Sequence, residues 1–159
     1  MYRKHFGLTR YPFAKELCPE EFFDFDAATD EAVQAALMMP DEWDRATVKF
    51  KFNWKESGTP GTGDVVWGVR AVGVSDGDTL DAAFGTAQVV TDSYISAGQN
   101  RWTSATASLT VAGTPQLGDT IIFEFYRDAD NGSDTYTEDA RLIGVAMQYK
   151  ESETEPSSW

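Results

Sequence analysis

One cysteine and one histidine in 159 residues exclude more chemistry than any motif in the chain suggests. With Cys18 alone no internal disulfide can form, so folding does not depend on an oxidising compartment. A Ser-His-Asp or Cys-His nucleophilic arrangement needs an imidazole, and the sole candidate is His5, in an N-terminal segment with no periodicity. His5 and Cys18 together cannot supply the ligands of a zinc site. No apolar run approaches the roughly 18 residues of a membrane span, and no uninterrupted apolar stretch marks a signal peptide. Phosphate-binding loops are missing as well: Gly58-Thr59-Pro60-Gly61-Thr62-Gly63 runs into Asp64, whose charge repels phosphate, and reads as a mobile hairpin loop. These absences predict a protein that is not an enzyme, has no catalytic residues, takes no cofactor or metal, and is made in a cytoplasm without a membrane partner.

Basic charge is scarce too. There are 13 Lys and Arg against 26 Asp and Glu, a net charge of −13, and so acidic a surface repels nucleic acid. The imbalance is uneven. Residues 1–20 hold Arg3, Lys4, Arg10 and Lys15 against Glu16 and Glu20, leaving a +2 arm ahead of a −15 body, an asymmetry suited to steering contacts between copies. With 26 carboxylates some pair always has a hydrolase-like spacing, so such pairs carry no signal without a cleft.

What the chain has is alternation. From Ala46 to Lys55, Val48, Phe50, Phe52 and Trp54 alternate with Thr47, Lys49, Lys51, Asn53 and Lys55, the period of a half-buried antiparallel strand. Similar stretches punctuated by Gly, Pro, Asp or Asn follow at Asp64 to Val74, Ala87 to Ile95, Ser104 to Val111, Thr120 to Arg127 and Arg141 to Lys150. Ile121, Phe123 and Phe125 share one face of the fifth, and Ile143, Val145, Met147 and Tyr149 one face of the last. No amphipathic helix separates them, so the fold class is all-β, an antiparallel sandwich or barrel. Asp30 to Met39 is ambiguous: Ala, Gln, Leu and Met favour helix, while a sheet neighbour can override so weak a preference. Asp78 to Phe84 reads as one short helical turn crossing between strands.

Three groups of side chains are candidates for function. Phe6, Tyr11, Phe13, Phe22 and Phe23 crowd the first 24 residues, which Gly7, Pro12 and Pro19 interrupt; such an arm makes no core alone and suits docking onto another chain. Trp43 and Trp102 lie near strand starts and are the candidates for stacking on sugar rings, whereas Trp54 and Trp67 sit in alternation and belong to the core. The run Asp128-Ala129-Asp130-Asn131-Gly132-Ser133-Asp134 superficially resembles a calcium loop, but Gly132 stands where the third ligand belongs. It reads as a long hairpin loop in which Asn131-Gly132 supplies positive φ.

Several longer stretches resemble a group of phage and prophage virion structural proteins. They are Phe25 to Glu31, Met39-Pro40 followed by Trp43, Thr47 to Phe50, Gly63 to Gly68, Asp81 to Thr86 and Tyr126 to Asp134. The resemblance spans about Phe25 to Tyr149. It implies a jelly-roll-like β-sandwich of about eight strands, with Asp30 to Met39 extended as a strand. It also implies a homo-oligomer, trimer favoured, that docks to other virion proteins as a capsid decoration or a tail or fibre component. The expected location is the virion, after synthesis in the host cytoplasm. His5 to Leu17 instead resembles the opening of ATPase helper proteins of transposition and type II secretion; the phosphate-binding loop they require is missing, so no ATPase activity carries over. The expected organisation is a docking arm at 1–24, a sandwich at 25–150 and an acidic tail at 151–159. The alternative function is a carbohydrate-binding or receptor-binding module.

Overall fold

The structure, a computed structural model, describes residues 22–152. Phe6, Tyr11, Phe13 and most of the acidic tail lie outside the described residues. Among the described residues nine strands form: β1 (Phe23–Phe25), β2 (Glu31–Met38), β3 (Trp43–Glu56), β4 (Asp64–Val74), β5 (Gln88–Ser93), β6 (Arg101–Trp102), β7 (Leu109–Thr110), β8 (Thr120–Arg127) and β9 (Ala140–Glu151). One sheet runs β1-β9-β3-β6, with β7 also on β3, and the other runs β2-β8-β4-β5, all pairings antiparallel.

β6 and β7 lie along one side of β3, pairing at Asn53–Trp54 and at Thr47–Val48. They are one strand interrupted in the middle, where the expected strand from Ser104 to Val111 forms only at Leu109–Thr110. Between them the ladder is kept on one side only: the Thr103 and Thr106 N–H groups donate to the Phe52 and Phe50 carbonyls, but Phe52 N–H returns to Thr103 Oγ1 at 3.0 Å and Phe50 N–H to Thr106 Oγ1 at 3.1 Å, a side-chain route that competes with regular pairing. Counted as one, they reduce the total to eight strands, in spatial order 1-8-3-6 and 2-7-4-5. That interleaving of two Greek keys is the jelly roll.

The alternation of β3 does what period two requires. Val48, Phe50, Phe52 and Trp54 are buried, facing Trp67, Phe123 and Phe125 of the opposite sheet. Phe50 packs edge-on to Phe123 and Phe125, each at 5.2 Å between centroids, and Phe52 stacks on Trp67 at 5.6 Å.

Tertiary structure settles the ambiguous Asp30 to Met39 as the strand that the resemblance implies, and it overturns other local expectations. Asp30 to Met39 is not helical: all eight residues of β2 pair in continuous register with β8, from Glu31 opposite Arg127 to Met38 opposite Thr120, and Val33, Ala35 and Leu37 pack on the core. The partner strand outweighs the helix propensity of Ala and Leu. Asp78 to Phe84 forms no helix, only an isolated turn at Leu80-Asp81. In β9 a bulge between the pairs Asn53–Gly144 and Trp54–Leu142 reverses the alternation. Leu142 and Ala140 are therefore buried, and Ile143 is not.

The glycine-rich stretch is no mobile hairpin loop. It carries the chain from β3 in one sheet to β4 in the other, and it packs tightly at its β4 end: a Cβ on Gly63, which has φ +106, would come within 2.3 Å of the Thr135 carbonyl oxygen.

Candidate functional site

Trp43 is not available to a sugar. Its partner in the ladder is Glu151, after which pairing lapses until Val48, and Arg45 takes φ 57 in the gap. That irregularity moves an odd-numbered residue onto the face of Val48, Phe50 and Phe52, so Trp43 is 2% exposed and packs as core. The pocket it helps line with Met39, Arg45 and Ile121 holds ≈ 10 Å³, about the space of one water.

Trp102 is different. It lies on the outer side of the first sheet, opposite Asn53, with 49% of its surface exposed. Asn53 in turn pairs with Gly144, beyond which a Cβ would meet open space, so the exposed indole forms a ledge beside open surface, while Asn53 Oδ1 is buried without a hydrogen-bond partner among the described residues. Phe22 and Phe23, 48% and 50% exposed, stand where the N-terminal segment enters β1. The Arg141 guanidinium lies 5.9 Å from the Phe22 ring centre and pairs two-pronged with Asp24 at 2.6 and 2.8 Å. That pairing holds the Asp24 carboxyl below its usual range despite the opposing effect of burial.

The acidic loop that follows β8 is a crossover between sheets, not a hairpin, and neither Asn131 nor Gly132 has positive φ. Side chains shape it instead. Asn131 Nδ2 donates to Asp128 Oδ2 at 2.8 Å and Ser133 N–H to Asn131 Oδ1 at 3.0 Å. Asp30, from the start of β2, accepts the N–H groups of Ala129 and Asp130 and brings its carboxylate to those of Asp128 and Asp130, with one oxygen of each within 4.8 Å of the others. These oxygens are of the type that suits a hard cation. They stand on the rim of a strongly acidic chain, where such groupings arise without one.

Asp134, the last acid of that run, has another role. Its side chain is 1% exposed and meets Arg127, itself 0% exposed, at the inward end of β8. Arg127 Nε and Nη2 donate to the two carboxylate oxygens at 3.0 and 2.8 Å, while Nη2 also reaches Tyr136 O at 2.7 Å and Nη1 reaches Glu138 O at 2.9 Å and, more distantly, Phe25 O at 3.4 Å. Asp134 Oδ2 accepts the Val66 N–H as well. Every guanidinium donor is used, so one buried ion pair ties β1, β4, β8 and the crossover together. Sequence reasoning missed this pair; the lone arginine at the end of an apolar strand was the signal that could have found it.

A second buried arginine closes the crossing from β5 to β6. Arg101 is 6% exposed, donates to the carbonyls of Ser93 and Ser96 at 3.2 and 3.1 Å, and lies over the rings of Tyr94 and Trp54 at 4.8 and 5.3 Å. Among the described residues it makes no ion pair, and its Nε has no hydrogen-bond partner. Glu56 anchors the same crossing by accepting the Gly98 N–H. Burial raises the Glu56 carboxyl, but backbone N–H donors and the nearby Lys55 and Arg101 charges outweigh it, leaving the group below its usual range.

On the outer face of the second sheet the Glu124 side chain, 9% exposed, accepts from Arg70 Nε at 2.6 Å and from Gln34 Nε2 at 2.8 Å, and Arg70 lies 5.0 Å from the Phe84 ring centre. Tyr126 lies flat over Gly68, where a Cβ would come within 2.2 Å of its ring. Burial raises the Tyr126 phenol, with the Asp128 charge adding to it. None of these groups is set around a cleft. No protein-family model matches the chain, and no curated protein matches it.

Proposed function

We propose that this chain is a non-enzymatic structural protein of a phage virion, a capsid decoration or a tail or fibre component, acting through self-association and docking to neighbouring virion proteins. The observation that carries the reading is the strand order. The jelly roll is the architecture of many viral shell proteins, in which rigid sandwiches present edges and loops to neighbours. The resemblance of Phe25 to Tyr149 to virion proteins supports it, as do the exposed Phe22 and Phe23 at the root of an aromatic arm of opposite charge to the body. The partners are copies of the chain, trimer favoured, and a shell or tail protein that receives the arm. Light scattering after size-exclusion chromatography tests the self-association on the full chain and on residues 22–159. A defined oligomer of the full chain that weakens without the arm is expected; a monodisperse monomer in both cases would overturn it.

The second reading, a carbohydrate- or receptor-binding module, is favoured by the Trp102 ledge, since lectin domains share the jelly roll. It predicts glycan-array binding that Trp102→Ala abolishes. Silence across the array would refute it.

A further inference from the structure

A sheet edge is an unfilled row of N–H and C=O groups, and folded proteins blunt such rows with shortness, charge, proline or bulges. Three of the four edges here are blunted. β1 is three residues long, and β6 and β7 are two residues each with a break between them. β5 carries Asp92, which shares the core-facing side with Val90 and accepts the Trp54 indole N–H at 2.7 Å. β2 has none of these devices. It is eight residues long, free of proline, bulge and lysine, charged only at Glu31, and pairs on one side alone among the described residues.

We propose that β2 pairs with β2 of a second copy, antiparallel about a twofold axis, joining the two four-stranded sheets into one of eight strands. This deepens the self-association proposed above by naming one of its surfaces. Residues opposed across an antiparallel ladder point to the same face, so the axis must pass between two copies of one residue. Centring on Ala35 sets Val33 against Leu37 on the core side, and Ala32 against Met38 and Gln34 against Ala36 on the outer side, each a small group facing a larger one or two of moderate size. It also leaves Glu31 beyond the paired run. Centring on Gln34 would oppose Glu31 to Leu37 on the core side, which the charge disfavours. The antiparallel arrangement moreover carries the two acidic starts of β2, with Asp30, Asp128 and Asp130, to opposite ends of the joint, where like charges do not meet. Such a twofold contact is closed, so it yields a dimer, or a hexamer where a threefold contact coexists.

The test compares masses by light scattering for the full chain, for Gln34→Lys/Ala36→Lys and for Val89→Lys, which adds charge to the outer side of the blunted edge β5. The expected result is that the lysine pair halves the mass while Val89→Lys leaves it unchanged, with thermal midpoints showing that all three are folded. In a Cys18→Ser background, Ala35→Cys is expected to form a disulfide between copies and Val89→Cys is not. An oligomer whose mass ignores the lysine pair overturns the edge pairing and leaves self-association standing. A monomeric full chain overturns both. If residues 22–159 remain oligomeric and the lysine pair halves the mass of the full chain but not theirs, the occupant of the edge is the arm rather than β2, and the proposal fails.

Discussion

The two crossings closed by buried arginines solve the same problem to different depths. At residues 128–139 the Arg127 guanidinium meets a buried carboxylate and carbonyls from both sides, so the crossover is welded to β1 and β4. At residues 94–100 Arg101 finds two carbonyls and two aromatic faces but, among the described residues, no carboxylate at ion-pair distance and no hydrogen-bond partner for its Nε. Buried charge is costly unless fully partnered. The first crossing is thus a rigid rim, and the second a looser one that exposes Ile95 and leads into Trp102, at 74% and 49%. The exposed apolar side chains of this pair of crossings fall at the looser end, while the acidic loop that looks functional in the sequence supplies the fold with Asp134, the buried partner of Arg127.

Substitutions break that comparison in order of size. Arg127→Met strands Asp134 without its partner and is expected to cost about 3–5 kcal/mol in urea unfolding, with much of it recovered by adding Asp134→Leu. Gly63→Ala, which drives a Cβ into the Thr135 carbonyl at positive φ, is expected to cost about 3 kcal/mol or more and to lower the thermal midpoint. Arg101→Met keeps the stem and loses two carbonyl bonds and the cation–ring contacts, for about 1–2 kcal/mol; a loss equal to that of Arg127→Met would erase the distinction. Smallest is the half-exposed Asp24–Arg141 pair, where Arg141→Ala should cost under about 1 kcal/mol and less at high salt.

Acid sharpens the same contrast. Asp24 and Glu56 both titrate below their usual values in the folded chain, so each contributes stability that is complete above the ordinary carboxylate range, about pH 4, and is lost as the pH falls through the lower folded value. Unfolding midpoints measured from pH 6 to pH 2.5 are expected to fall across that window, and less steeply for Asp24→Asn and Glu56→Gln.

Much of the scaffold is legible without coordinates. The alternation of β3 announces its buried face, the bounds of β4 and β8 follow from their punctuation, and Trp54 and Trp67 are identifiable as core because they continue the apolar alternation of Phe52 and of Val65 and Val69. Scarcity of His and Cys limits the chemistry for the same local reason, since residue types are visible one at a time. The candidate site was less legible. Trp43 and Trp102 look alike in the sequence, yet a lapse of pairing before Val48 buries one and an edge position exposes the other.

What the chain determined by itself is therefore its period and its composition: an all-β body, a large aromatic core, and an acidic surface. Tertiary structure alone decided that the Ala- and Leu-rich segment becomes β2, that Leu142 rather than Ile143 faces inward, and that Asp134 belongs to Arg127 rather than to a loop. Alternation is a nearest-neighbour property carried along the backbone, whereas bulges, edges and buried charge pairs depend on partners distant in sequence, as Phe25 is from Arg127.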